Sequence, residues 1–105
     1  HRRMVQAERR MNAAAGEFHE HLLAQFDDWE LTPTEKDIAL YVIKGFSNLE
    51  IANLRGTTES TVKSQVSAIF RKSGVASRQQ LATWAVEDLI EALAPSEPPV
   101  PALKV

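Results

Sequence analysis

The side chains best suited to chemistry in this sequence lie between Thr58 and Lys72. They are hydroxyls at Thr58, Ser60, Thr61, Ser64 and Ser67, an amide at Gln65, and cations at Lys63, Arg71 and Lys72. Hydroxyls and amides hydrogen-bond to phosphate oxygens and base edges, and Lys and Arg neutralise phosphate charge. The set fits non-covalent recognition of an anionic polymer. Nothing beside it fits bond-breaking: there is no Ser/His/Asp arrangement, glycine-rich phosphate loop or metal motif placed for catalysis. Cysteine is absent, which excludes disulfides and thiolate chemistry. Glu17-Phe18-His19-Glu20-His21 resembles a metal site only superficially. Its two histidines are two residues apart and diverge by about 200° on a helix. Glu17 and His21 share a face but supply two ligands where a structural zinc takes four. The sequence therefore reads as a non-enzyme without a cofactor or metal.

A helix must hold the polar set. Val62, Val66, Ile69, Phe70 and Ser73 fall on one face, while Ser60, Lys63, Ser64, Ser67 and Arg71 fall on the other. Thr58 caps this helix and Gly74 ends it. Before it, Ser47 and Glu50 form a capping box for a short helix whose apolar contacts are Ile51, Ala52 and Leu54, stopped by Gly56. Ser47–Gly74 thus reads as a helix-turn-helix, the motif whose second helix enters the DNA major groove.

The flanking segments are helical too. Thr32-Pro33-Thr34-Glu35 is a capping box with proline at the first helical position, leading into Ile38, Ala39, Tyr41, Val42 and Ile43 up to Gly45. Ser77 caps a later helix, with Gln80 three residues on. Its apolar residues Leu81, Ala82, Trp84, Ala85, Val86, Leu89, Ile90 and Leu93 occupy more than one stripe, which predicts two partners, its own core and another subunit. Residues 1–30 form an amphipathic helix with Met11, Ala15, Phe18, Leu22, Phe26 and Trp29 on one face. It is expected to serve either as a helix docked on its own domain, or as a coiled-coil dimerisation stalk or a linker to something upstream. Residues 95–105 are proline-rich and read as a disordered tail.

At 105 residues the chain is one small domain with extensions, and it starts at His1, which suggests a piece of a longer protein. Its net charge is −2, low for a nucleic-acid binder, but the charge is segregated. Residues 55–78 hold five cations (Arg55, Lys63, Arg71, Lys72, Arg78) against Glu59, while residues 17–37 hold seven carboxylates against Lys36. No apolar run is long enough to span a bilayer and no signal peptide appears, which points to the cytoplasm. His1-Arg2-Arg3 and Arg9-Arg10 would also suit a segment just inside a membrane, so the expected upstream neighbour is a sensor or a membrane anchor.

Several motifs together resemble the C-terminal DNA-binding domain of the LuxR/FixJ/NarL transcription regulators. They are LTPTEKDIALYVIKGFSNLEIA from Leu31, then TESTVK, then IFRKSGVASRQQL. The resemblance implies an all-α, four-helix domain over 31–94, preceded here by the long helix, with a recognition helix at about 59–73. It implies that Lys63 contacts a phosphate or base edge, that Ser64 and Ser67 lie where relatives often touch bases, and that Thr58, Ser60, Thr61 and Gln65 anchor phosphates. Arg71 and Lys72 complete the expected DNA-binding set. Double-stranded DNA is the expected partner, bound by a homodimer through the last helix at Leu81, Trp84, Ala85 and Asp88, with RNA polymerase as a further candidate. The sequence departs from the family where Ser67 replaces a basic residue, Gln65 a histidine, Ser73 a leucine, and Arg55 and Thr57 the aliphatic pair around the turn glycine. The rival expectations are a sigma-factor-like promoter-reading domain and a protein-interaction or dimerisation module without DNA binding.

Overall fold

A computed structural model describes residues 2–93. The expected tail at 95–105 lies outside the described residues. Among those described the chain is all-helical: α1 Arg2–Asp28, α2 Pro33–Ile43, α3 Asn48–Arg55, α4 Glu59–Ser73 and α5 Arg78–Leu93.

The caps form as their residue types dictate. Thr32 and Glu35 exchange both bonds of a capping box, and Ser47 and Glu50 do the same for α3. Thr58 accepts from the Thr61 amide at the start of α4. Ser77 Oγ accepts from the Gln80 amide, but the Gln80 side chain reaches past Ser77 to the Ala76 amide. Each helix from α2 to α4 is followed by a left-handed glycine, at Gly45, Gly56 and Gly74. The end of α1 breaks this pattern. Glu30 takes the left-handed conformation there (φ 58°), while the Glu30 and Leu31 amides donate to Asp27 and Phe26 carbonyls. This is a Schellman turn without its glycine.

One core joins all five helices: Leu22 and Phe26 from α1, Ile38, Ala39 and Val42 from α2, Ile51 and Ala52 from α3, Val62, Val66 and Ile69 from α4, Leu81 and Ala85 from α5, with Leu31 between α1 and α2. Burial rises along the described part of the apolar face of α1. Ala15 is exposed, Phe18 is half-buried, and Leu22 and Phe26 are fully enclosed. The docked part meets α5 through an aromatic cluster. Trp29 and Trp84 have ring centroids 5.0 Å apart, and Phe26 lies 5.8 Å from Trp29 and 6.5 Å from Trp84. Such tilted pairs contribute beyond their buried area.

Leu54 corrects one expectation. It is 57% exposed rather than part of the core. At 100° per residue, Arg55 and not Leu54 returns to the face of Ile51 and Ala52. Ser73, in place of a leucine, is half-buried and finishes α4: its hydroxyl donates to the Phe70 carbonyl and accepts from the Val75 amide.

Candidate nucleic-acid interface

The helix-turn-helix is α3, the turn at Gly56–Thr58, and α4. Val62, Val66 and Ile69 lock the back of α4 into the core. Its front presents Ser60, Lys63, Ser64, Ser67 and Arg71, all exposed. Ser60 to Arg71 is eleven helical steps, or roughly 16 Å of helix axis at 1.5 Å per residue. Thr58 and Thr61 stand at the N-terminal end with their hydroxyls joined at 2.8 Å. The four leading amides of the helix favour an anion there. Glu59, exposed in the first turn, is the one carboxylate among these residues.

Three of the five cations counted between residues 55 and 78 are committed within the protein. Lys72, expected at the DNA, is engaged within the protein. Its ammonium donates to Glu35 Oε1 at 2.6 Å and lies 3.4 Å from the Glu30 carbonyl, tying the end of α4 to the start of α2. Burial alone would raise the Glu35 carboxyl. The Lys72 hydrogen bond, the Thr32 amide and the Lys72 charge outweigh it and hold that carboxyl below its ordinary range. Glu50 is also lowered, first by the Ser47 amide and then by the Ser47 hydroxyl beside its carboxylate.

Arg78 binds the α2–α3 connection instead of facing outward. One arm of its guanidinium donates to Asn48 Oδ1 at 2.6 Å and the other to the Phe46 carbonyl. Arg55 pairs with Asp37 of α2 at 3.2 Å rather than standing unpaired. Among the described residues, Lys63 and Arg71 have no ion-pair partner, so the front of α4 offers two cations. Gln65, expected to anchor a phosphate, is half-buried, and its Oε1 is buried without a hydrogen-bond partner among the described residues.

The side chains of α5, the fourth helix of the domain, that were expected at a dimer contact are engaged within the protomer. Leu81 and Ala85 are sealed in the protomer's own core, and Trp84 is engaged by Phe26 and Trp29. Asp88 faces α1, its Oδ2 lying 3.1 Å from His21 Nδ1, within ion-pair distance but outside good hydrogen-bond geometry. Among the described side chains, the large apolar ones that α5 leaves exposed are Val86 and Ile90, four residues apart on one face.

Glu35, Asn48 and Arg78 were visible in the sequence only as parts of motifs. Their partners lie 30 residues or more away in the chain or, for the capping box, serve a second role as well. Four motif segments are therefore tied in two pairs: the LTP-x-E start to the RKSG end of α4, and the SNLE turn to SRQQ.

The sequence profile described as "Bacterial regulatory proteins, luxR family" matches residues 30–85, more than half of the chain. The nitrate/nitrite response regulator protein NarL of Escherichia coli (strain K12) is 38% identical over 61 residues, covering 58% of this chain and 28% of that protein. The uncharacterized transcriptional regulatory protein YhcZ of Bacillus subtilis (strain 168) is 42% identical over 59 residues, covering 56% and 28%. The response regulator protein VraR of Staphylococcus aureus (strain NCTC 8325 / PS 47) is 42% identical over 57 residues, covering 54% and 27%. The chain thus spans under a third of the length of these relatives. No solved structure matches it. The matched span holds α2, α3, α4 and the first half of α5, together with the Glu35–Lys72 and Arg78–Asn48 ties, and the chain belongs to the luxR family of bacterial regulatory proteins, with that family's DNA-binding helix-turn-helix.

Proposed function

We propose that this chain is the DNA-reading part of a transcription regulator, with α4 lying in the major groove of double-stranded DNA. The observation that carries this reading is the exposed row Ser60, Lys63, Ser64, Ser67 and Arg71 on a helix whose opposite face is fixed in the core. Thr58, Ser60 and Thr61 would hold a phosphate at the helix N-terminus, and Lys63 a phosphate or base edge. Three hydroxyls and two cations make a lightly charged reading surface. Water-bridged contacts then carry part of the base recognition.

Two copies would read a pseudo-palindromic site with their α4 helices about 34 Å apart. For that pairing α5 offers the strip through Gln79, Thr83, Val86 and Ile90, all exposed and spaced four, three and four residues apart. The length of the relatives supports placing this unit within a larger regulator.

Selection of bound sequences from random duplex DNA tests the reading directly, since it reports binding, half-site spacing and symmetry together. On the selected site, Lys63→Ala should weaken binding and flatten the salt dependence by about 0.9 in log–log slope, the effect of one lost phosphate contact. Recovery of no sequence preference, or a Lys63→Ala variant with full affinity at every salt concentration, would refute the placement of α4.

A further inference from the structure

We infer that the cleft between α2 and the end of α3 is a second phosphate site, gripping the DNA backbone through Lys44 and Arg55. This rests on α4 occupying the major groove. The cleft measures about 260 Å³ and is lined by Asp37, Leu40, Tyr41, Lys44 and Arg55. Tyr41 packs edge-on against Phe46, with ring centroids 5.5 Å apart, which fixes one wall. Lys44 is the α2 C-cap, exposed, and among the described residues its ammonium has no ion-pair partner. Arg55 ends α3, and its guanidinium is held at 3.2 Å by Asp37, whose side chain is 59% exposed. Two cations thus face one carboxylate, and the cleft carries a net positive charge.

Position ties this cleft to the reading helix. Arg55 precedes the α4 N-cap, Thr58, by three residues, so their Cα atoms are at most about 11 Å apart. Each DNA strand carries a phosphate every ~3.4 Å of axis, so a backbone seated at the α4 N-terminus brings further phosphates within reach of the cleft. The Arg55–Asp37 pair is the exchangeable element. An exposed ion pair is weak, and a phosphate offers Arg55 a bidentate acceptor in its place. Arg55 would leave Asp37 for the phosphate, and Lys44 would close on it from the other side. Asp37 then opposes binding, because its carboxylate both competes for Arg55 and repels the phosphate.

This gives Asp37 a sign that a purely structural bridge would not have. On the selected DNA site, Asp37→Asn should bind about two- to fivefold more tightly than wild type, the range spanned by an exposed ion pair. A bridge needed for the fold would instead lose affinity, and thermal melting of the same variant reports that loss separately. Lys44→Ala should flatten the salt slope by about 0.9, so that between 50 and 200 mM salt it loses about 3.5-fold less affinity than wild type. Wild type that binds DNA, with either an unchanged slope in Lys44→Ala or no gain in Asp37→Asn, would overturn the cleft site alone. Wild type that binds no DNA would overturn the placement of α4, and the cleft site with it.

Discussion

Replacing Lys72 with Met separates two roles for one side chain, because it keeps most of the apolar stem and removes the ammonium. In the structure that ammonium sits 2.6 Å from Glu35 Oε1, on a buried residue whose carboxylate also caps α2. Losing one partner of an exposed pair costs at most about 1 kcal/mol, and of a fully buried pair about 3–5 kcal/mol. The Lys72 side chain is 30% exposed and that of Glu35 10%, so this pair lies between the limits, at about 1–2 kcal/mol. For a domain of this size that lowers Tm by roughly 4–16 °C. Glu35→Gln removes the charge but keeps an acceptor for the Thr32 amide, and the double variant leaves no unpaired charge. Chemical denaturation of the four proteins at pH 7 should therefore give a coupling of about 1 kcal/mol. The pH dependence follows from the lowered Glu35 carboxyl. A depressed carboxyl stabilises the fold above its unfolded pKa, and that stability is lost as pH falls through the folded value. The gap between wild type and Lys72→Met should accordingly narrow as pH drops below about 4.5. The same variant should keep the wild-type salt slope on DNA. A coupling under about 0.3 kcal/mol would refute the clamp, since distant sites already add to within that margin. A slope reduced by about 0.9 would return Lys72 to the DNA contacts.

Other expectations follow from single geometric features. Glu30→Gly should stabilise the protein by about 1 kcal/mol, because glycine lacks the Cβ clash of a left-handed residue. Glu30→Ala should bring no such gain in thermal melts, since alanine retains the clash. Arg78→Lys should destabilise the fold by about 1–2 kcal/mol in denaturant titrations, because an ammonium cannot fork between Asn48 and the Phe46 carbonyl. Ile90→Glu should shift self-association toward monomer in sedimentation, with the helical signal intact. Leu81→Glu should unfold the domain instead, because Leu81 is sealed in the core.

The capping residues Thr32, Ser47, Thr58 and Ser77 were legible in the sequence because a cap closes over three residues, within reach of local spacing. The exposed row on α4 was legible for the same reason, since helical periodicity alone separates Lys63 from Val62. What the sequence could not show was which cations were already spent. Lys72 meets Glu35 across 37 residues and Arg78 meets Asn48 across 30, and such pairings exist only once the helices are packed. A count of charge along residues 55–78 therefore overstated the positive face. Leu81 and Ala85 illustrate a related limit. Two apolar stripes on a helix predict two partners, but not which stripe packs on the protomer's own core. Glu30 escaped notice because glycine is the usual mark of a left-handed helix end, and the turn here forms without it.

The chain contains two tryptophans, Trp29 and Trp84, and they face each other across the joint between α1 and α5. Its intrinsic fluorescence and near-ultraviolet dichroism therefore report almost solely on that joint, while the far-ultraviolet signal sums over every helix. The two signals need not melt together. If α1 can lift from α5 while the core of α2–α4 stays folded, the indole emission will shift first. The molecule thus carries its own optical label for the attachment of its long helix, and coincident or separate transitions will say whether that helix folds as part of the reading domain or as an appendage to it.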